Sequence, residues 1–341
     1  MNVDERIELL AATGTAIKAD IKGSRLDDLL ADVENENPWF IKQFVIEALE
    51  NLVDNFLNRE KLVQWSKAYD IKDILETKII GVVTAGNLPL VGIHDIISVL
   101  ISGNHVSLKL SKKDSVLTKY FIQTLKEIKP DIEKLIYVSE QLKRFDAVIA
   151  TGSNNTNRYF EQYFGKYPHL LRKNRTSIAI IRKNESEKEL KELAKDIYSY
   201  FGLGCRSVSK VFIEDGFEIR RLLDVCQEYA WLGNHYKFHN NYTYQKSIYL
   251  VNKVSHFDTG FSIFKEDNDL HSPISVTFFE NYSSLSSLLE KINGLDDQIQ
   301  IIVSGRELSE QKRVVGFGIS QKTELFDYAD GKDTLKFLSE L

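Results

Sequence analysis

Cysteine, methionine and proline are scarce in this chain of 341 residues, which has 2 Cys, 1 Met and 5 Pro. Two cysteines, Cys205 and Cys226, exclude a disulfide framework and fit a reducing compartment in which a thiol stays available for chemistry, so the cytoplasm is the expected location. Few prolines and 18 glycines, set against 43% hydrophobic and 27% charged residues, exclude collagen-like and disordered chains. Neither sign of charge prevails: 44 Lys and Arg face 49 Asp and Glu for a formal net charge of -5, which gives no global field for nucleic acid or anionic lipid. Long apolar runs are missing as well. The most apolar stretch, residues 79–110, is interrupted by Asn87, Pro89, Asp95 and Asn104 and falls short of the roughly 20 apolar residues of a membrane span. The opening MNVDERIELL places acids where a secretory signal carries a basic region, so no export signal is expected. There is no GxSxG elbow and no Walker loop, which excludes serine-elbow hydrolysis and P-loop phosphoryl transfer. Of 7 histidines, His235 and His239 are four apart but have no further partner, and no metal site is expected.

What the sequence does contain is alternation. Asn37 as cap, Pro38 in the first turn and apolar Ile41, Phe44, Val45, Ala48, Leu49, Leu52, Val53 and Phe56 predict the second of two opening helices. From Lys78 onward, the runs KIIGVVT, HVSLKL, KLIYVS and DAVIAT alternate with helical patterns at 91–102, 114–127 and 154–164. After Ser177 come SIAIIR, SKVFIE, SIYLVN, ISVTFFE and QIQIIVSG as strands, with helices at 186–200, 216–230 and 283–293. The expected fold is α/β with two open α/β domains, since alternation of this kind builds parallel sheets. At roughly 100 to 200 residues per domain the length agrees. The polar, basic stretch from His169 to Ser177 reads as the hinge, giving domains at 1–174 and 175–325 and a tail at 326–341.

Four segments could carry chemistry. In Phe201-Gly202-Leu203-Gly204-Cys205-Arg206-Ser207 the glycines let backbone N–H groups approach a substrate, and a thiol beside Arg206 would carry more thiolate, as a nucleophile needs. Taken alone, the same segment suits a small buried thiol in a turn equally well; Cys226, spaced with Leu222, Leu223 and Tyr229, reads as core. Val83 to Leu90 ends a strand with Asn87 placed to donate to an oxyanion, or simply to make a turn. Gly103 to Lys113 ends a strand in Lys109, Ser111 and Lys112, suited to ribose hydroxyls or phosphate, or to a solvated turn. Ala150-Thr151-Gly152-Ser153-Asn154-Asn155 opens a helix where Gly152 and Ser153 could admit a phosphate or cap the helix.

Together, in this order and spacing, the four segments resemble the aldehyde dehydrogenase superfamily: AGNLPL, SGNHVSLKLS, ATGSNN and GLGCRSVSK follow one another as its Asn-Pro, Gly-Asn-Lys, Thr-Gly-Ser and cysteine blocks do. A fifth block, Asp269-Leu270-His271-Ser272-Pro273-Ile274-Ser275-Val276, is similar to the segment that touches the cofactor ribose, with Asp in place of Glu and Ser in place of Gly. RYFEQYFGKYPHLLRKNR, YFGLGCRSVSK and FDYADGKDTLKFL resemble bacterial acyl-CoA reductases of the LuxC type more closely, from about residue 78 to the end. The resemblance implies an aldehyde-dehydrogenase-like fold with a Rossmann-like cofactor domain and a catalytic domain. It implies attack of Cys205 on an acyl-CoA or acyl-carrier thioester, with the oxyanion held by Asn87, departure of CoA, and hydride reduction of the acyl-enzyme to a fatty aldehyde. Lys109, Ser111, Gly152, Ser153 and Asp269 would bind the nucleotide. Lys112, where NAD-preferring relatives often carry Glu, points to NADPH, with NADH as the alternative. The Glu that activates water in oxidising relatives has no counterpart: His169-Leu170-Leu171-Arg172-Lys173-Asn174-Arg175 stands in its place and residues 165–177 contain no acid. That favours transfer to a thiol over hydrolysis, leaves His169 as the alternative base, and offers Arg172, Lys173 and Arg175 to CoA phosphates. A homo-oligomer is left open. So are an aldehyde-oxidising enzyme, a thiol acyltransferase or thioesterase without redox chemistry, and a nucleotide-binding regulatory protein.

Overall fold

The short β-branched runs after Lys78 form strands, and the amphipathic stretches between them cross over as helices. The computed structural model describes residues 1–341 apart from 70, 72–75, 153 and 309–312. Its chain divides into unit 1, residues 1–174 with 323–341, and unit 2, residues 175–322. Unit 1 begins with helices α1 (Val3–Lys22), α2 (Leu26–Glu36), α3 (Lys42–Asn51) and α4 (Arg59–Ala68) and continues through β1 (Ile79–Val83), α5 (Ile93–Ser102), β2 (His105–Lys109), α6 (Ser115–Ile128), β3 (Ile136–Val138), β4 (Ala147–Thr151), α7 (Asn154–Phe164) and β5 (His169–Arg172). Unit 2 runs through β6 (Thr176–Ile181), α8 (Glu187–Tyr198), β7 (Val208–Glu214), α9 (Ile219–Cys226), α10 (Tyr236–Val251), β8 (Phe257–Asp258), β9 (Ile263–Glu266), β10 (Val276–Tyr282), α11 (Leu285–Asn293), β11 (Ile299–Ser304) and β12 (Val314–Val315), before α12 (Thr334–Ser339) returns to unit 1.

Among the described residues the unit 1 sheet is parallel in the order β3-β2-β1-β4-β5. The order reverses between β1 and β4, the point at whose carboxyl ends open α/β sheets bind ligands. The unit 2 sheet has the order β12-β11-β6-β7-β10-β9-β8 and is parallel except for the β8–β9 pair.

Two local expectations are corrected. Asn37 ends α2 instead of starting a helix: its N–H donates to the Val33 carbonyl, its side chain accepts from the Trp39 N–H and donates to the Lys113 carbonyl, and α3 starts only after extended Ile41. Pro38 explains this, since a residue before proline is pushed out of the helical region. SIYLVN, expected as a strand, lies in α10, where Tyr242 and Tyr249 are buried seven residues apart on one helical face while Leu250 and Val251 are 60% and 81% exposed. The two units divide at 174/175, within the expected hinge 169–177, and that stretch also carries β5 and the start of β6, because Leu170 and Leu171 pack inward and Arg172 finds a buried partner.

That partner is Asp95 on α5. Arg172 Nη1 lies 2.6 Å from Asp95 Oδ2, with both side chains 5% exposed, and Nη2 donates to Thr334 Oγ1 at 2.6 Å. Arg172 therefore ties β5, α5 and α12 together and is not the phosphate ligand the sequence offered. Asp95→Ala leaves a guanidinium buried without its counter-charge and should cost about 3–5 kcal/mol in denaturant unfolding, while Asp95→Leu with Arg172→Met should recover most of it. A loss below about 1 kcal/mol for the single variant, the level of a surface pair, would contradict this account.

The C-terminal residues are core to unit 1. Leu325, Leu335 and Leu338 are buried in its main cluster, each worth about 1.5–3 kcal/mol. Trp65 Nε1 donates to Tyr328 OH at 2.7 Å and Tyr69 OH to Asp333 Oδ2 at 2.6 Å. His94 Nε2 donates to the Leu325 carbonyl at 3.1 Å, its ring 5.2, 5.8 and 5.4 Å from those of Phe56, Trp65 and Tyr328. Burial pushes His94 down to about 4, against the pull of Asp95 and with the Arg172 charge acting in the same sense as burial. Below the unfolded value near 6.5 the unfolded chain takes up a proton that the folded one refuses, so this group's stability is lost as pH falls from 6.5 toward 4, by about 1.4 kcal/mol per pH unit. His94→Gln should lose that slope; an unchanged difference in stability between pH 6.5 and 4 would contradict it.

Candidate active site

In unit 1 the candidate residues gather where β1, β2 and β4 end. Thr84, just past β1, stitches two loops: its N–H donates to the Lys109 carbonyl (3.2 Å) and its Oγ1 accepts from the Ser111 N–H (3.0 Å). Gly86 lets the Asn87 loop lie directly on Ser111, since a Cβ there would stand 2.9 Å from Ser111 Cβ. Asn87, Lys109 and Lys112 are exposed, and Ser111 is half-buried, its Oγ accepting from the Lys113 N–H (3.3 Å). Gly152 follows β4, and a Cβ on it would come within 2.9 Å of Phe160 and 3.0 Å of Thr156, so only glycine fits this start of α7. Asn157, buried, donates to the carbonyls of Gly152 (3.1 Å) and Arg172 (2.7 Å) and fixes the turn. Ser153 lies outside the described residues. A nicotinamide nucleotide fits this edge: exposed Lys109 and Lys112 and the half-buried Ser111 hydroxyl flank the reversal of strand order, where Gly86 and Gly152 let the loops pack closely.

His169 is not part of this group. It starts β5, in register with Val148 near the start of β4, and so lies at the amino edge of the sheet, opposite Asn87, Lys109, Ser111 and Gly152. Its Nδ1 donates to the Tyr167 carbonyl at 2.8 Å, and it borders an open depression of about 490 Å³ together with Glu161, Lys173, Lys332 and Lys336.

In unit 2 the cysteine sits at the amino edge of the sheet, in the turn that enters β7. Tyr200, Phe201 and Gly202 have φ of 54°, 56° and 73°, three left-handed residues in succession; such positions cost of order 1–3 kcal/mol for non-glycine residues and concentrate at functional sites. The turn is then pinned: Ser177 Oγ donates to the Cys205 carbonyl (2.8 Å), the Ser207 N–H to the Gly204 carbonyl (3.0 Å), and the Gly204 N–H to Ser207 Oγ (3.3 Å). Cys205 itself is half-buried, and neither cysteine is in a disulfide. Arg206 is buried, its Nε donating to the Ser320 carbonyl at 2.6 Å. Ser320 is held in turn by Asp196 of α8, which accepts from the N–H groups of Ser320 (3.0 Å) and Gly318 (2.6 Å) and whose carboxyl burial pushes up to about 6. Cys226 is buried, its thiol pushed up to about 12 by burial. The fifth block reaches the same edge: Phe201 and Gly202 share with Ser272, Pro273 and Ser275 a cavity of about 30 Å³, room for two or three waters at about 10–15 Å³ each. Asp269 is exposed on that loop, its N–H donating to Asp267 Oδ1 at 3.0 Å.

The model of the acyl-CoA reductase (LuxC) family matches residues 24–226. The chain belongs to that family. As an acyl-CoA reductase family member it is an oxidoreductase acting on aldehyde or acyl-CoA, with a nicotinamide cofactor. The match takes in Asn87, Lys109, Ser111, Gly152 and Cys205 and stops short of Asp269. Solved structures give the fold of this reductase. Aldehyde dehydrogenase 21 from Physcomitrella patens, in complex with succinate, has a TM-score of 0.69 at 12% identity, covering 100% of this chain and 84% of that one. Betaine aldehyde dehydrogenase from Staphylococcus aureus, in complex with NAD+, has 0.65 at 12% over 89% and 72%. NADP-dependent glyceraldehyde-3-phosphate dehydrogenase from Bacillus halodurans, complexed with NADP, has 0.61 at 14% over 89% and 74%. No curated protein compared with the chain matches it. Among the described residues no helix is long and apolar enough to cross a membrane, and no group of three or more His, Cys, Asp or Glu is placed to hold a metal.

The sequence motifs did not single out Thr84, Asp114, Ser177 or Asp196. Thr84, Asp114 and Ser177 act on backbone groups of the motif loops, and Asp196 on the Gly318 and Ser320 N–H groups behind Arg206, roles that leave no spacing pattern to read.

Proposed function

We propose that the chain reduces a fatty acyl-CoA to the aldehyde with NADPH, through an acyl thioester on Cys205. The observation that carries this reading is the half-buried thiol of Cys205 in a turn whose backbone is pinned by Ser177, Ser207 and the Arg206–Ser320–Asp196 chain. The Cys205 thiolate attacks the acyl carbonyl carbon, the carbonyl pair moves to oxygen, and Asn87 with the Cys205 N–H is the proposed donor pair for that oxyanion. Collapse expels CoA as thiolate and leaves the acyl group on Cys205. A nicotinamide nucleotide, when bound, supplies a hydride to that thioester carbon. Release of the Cys205 thiolate from the resulting tetrahedral centre gives aldehyde and restores the nucleophile.

Lys109, Ser111, Gly152 and Ser153 are the residues of unit 1 that this reading assigns to the nucleotide, and Asp269 is the residue of unit 2 assigned to its ribose. His169, at the opposite sheet edge, has no part. Exposed Lys112, three residues after Lys109, supports a 2′-phosphate, because no acid lies between residues 105 and 113 to repel one. With fatty acyl-CoA and NADPH the reduced-nucleotide absorbance should fall in step with aldehyde and CoA formation; acyl-CoA turnover without nucleotide consumption would instead mark a thioesterase or acyltransferase. Lys112→Glu should lower the ratio of NADPH to NADH efficiency roughly 10- to 100-fold, the worth of one charge-assisted hydrogen bond. An unchanged ratio would remove Lys112 from the assignment.

A further inference from the structure

Two loops of unit 1 that the proposed chemistry uses differently, one bearing Asn87 and one bearing Ser111 and Lys112, are built as a single piece. Thr84 bonds across to Lys109 and Ser111, and Gly86 is packed on Ser111. The third link is Asp114. It precedes α6 as its cap residue, yet its side chain makes no capping bond there. Glu36, at the end of α2, takes over that task, its carboxylate accepting from the N–H groups of Ser115 (2.9 Å) and Val116 (3.1 Å), while Asn37 Nδ2 donates to the Lys113 carbonyl (3.2 Å). Asp114 is thereby left to reach back to the other loop, where Oδ2 accepts from the Leu90 N–H at 2.9 Å. Leu90 sits at φ 61°, a left-handed conformation that a branched side chain adopts only when its surroundings hold it. Asp114 is 2% exposed, and its Oδ1 is buried without a hydrogen-bond partner among the described residues.

We propose that Asp114 is a positioning residue of the reductase, holding the Asn87 loop and the Ser111–Lys112 loop in one arrangement through Leu90, so that nucleotide binding and acylation of Cys205 depend on the same side chain. The inference rests on the reading above for the roles of the two loops. Burial and the nearby Glu36 raise the Asp114 carboxyl well above the usual range, so an amide should stand in for it.

The experiment uses full-length wild type, Asp114→Asn, Asp114→Ala, Asn87→Ala and the Asn87→Ala/Asp114→Ala double variant, each normalised to folded protein by circular dichroism. Two quantities are read: the Kd for NADPH, by quenching of protein fluorescence, and the rate of CoA release in a single turnover without nucleotide. Asp114→Asn should stay within about three-fold of wild type in both, since its amide oxygen still accepts the Leu90 N–H. Asp114→Ala should raise Kd and slow acylation by about tenfold or more each, as a loop misplaced by a fraction of an ångström does. Asn87→Ala should slow acylation alone, and should slow it far less in the Asp114→Ala background, because the donor is already misplaced there. A purely structural Asp114 would lower the folded fraction and leave both quantities unmoved per folded molecule, which would overturn the proposal; so would effects of the two alanine variants that simply multiply. If Asn87→Ala leaves acylation unchanged, the role given to Asn87 fails, and the positioning role stands or falls on whether Asp114→Ala moves Kd and acylation together. Should Asp114→Ala fail to fold, Asp114→Ser, too short to hold Leu90, takes its place with the same expectations.

Discussion

Replacing Cys205 by Ala should lower aldehyde formation from acyl-CoA by about 10³-fold or more, because without a nucleophile no acyl-enzyme forms and hydride has no thioester to reduce. The fold should survive. The contacts that define the turn belong to the Cys205 carbonyl, the Gly204 and Ser207 backbone and Arg206, and truncating the thiol touches none of them. Cys205→Ser keeps an oxygen in place but forfeits the thiolate and should fail in the same way. Cys226→Ala provides the contrast: that thiol is buried, with its ionisation pushed up to about 12, so aldehyde formation per folded molecule should persist. Full activity in Cys205→Ala, or equal losses in the Cys205 and Cys226 variants, would remove the nucleophile from this account.

Run in reverse, with aldehyde and the oxidised nucleotide, the enzyme should yield little free acid and should turn over only when CoA is supplied to take the acyl group as acyl-CoA. Hydrolysis of an acyl-cysteine needs a base to take a proton from water, and general-base assistance is worth roughly 10²- to 10⁴-fold, so added CoA should raise turnover by a similar order. Residues 165–177 contain no acid. Three carboxylates of unit 1 near this stretch are engaged: Asp95 with the Arg172 guanidinium, Asp330 accepting from the Lys173 N–H at 2.7 Å, and Glu161 4.0 Å from the Lys173 ammonium. Glu161, exposed on α7, is the residue to control for. CoA-independent acid formation at a comparable rate that Glu161→Gln abolishes would show a base recruited from α7, and CoA-independent acid formation unaffected by that change would mean the absent acid does not set the reaction.

The α/β architecture was readable because its strands are short, β-branched and separated by helices of ordinary length. The motif loops were readable because glycine and asparagine mark places where backbone must approach closely. Where the reading failed, a tertiary partner decided the outcome. SIYLVN has a strand's composition, but the buried Tyr242 and Tyr249 belong to one helical face. Asn37 has a cap's identity, yet the helix it ends is the one before it. HLLR reads as a polar, basic stretch, yet it forms β5 because Arg172 is paired with Asp95, 77 residues earlier. Asp114 is the same case at the site: its use lies in Leu90, 24 residues away, and no local pattern announces that bond.

The central claim is that Cys205 carries the acyl group between CoA and aldehyde, and the most direct measurement is mass spectrometry of the enzyme mixed with a fatty acyl-CoA in the absence of nucleotide. The account predicts one acyl adduct, mapped by peptide digestion to Cys205, that disappears on addition of NADPH as an equal amount of aldehyde forms. An adduct on another residue, or one on Cys205 that NADPH leaves in place or that leaves as free acid, would contradict it.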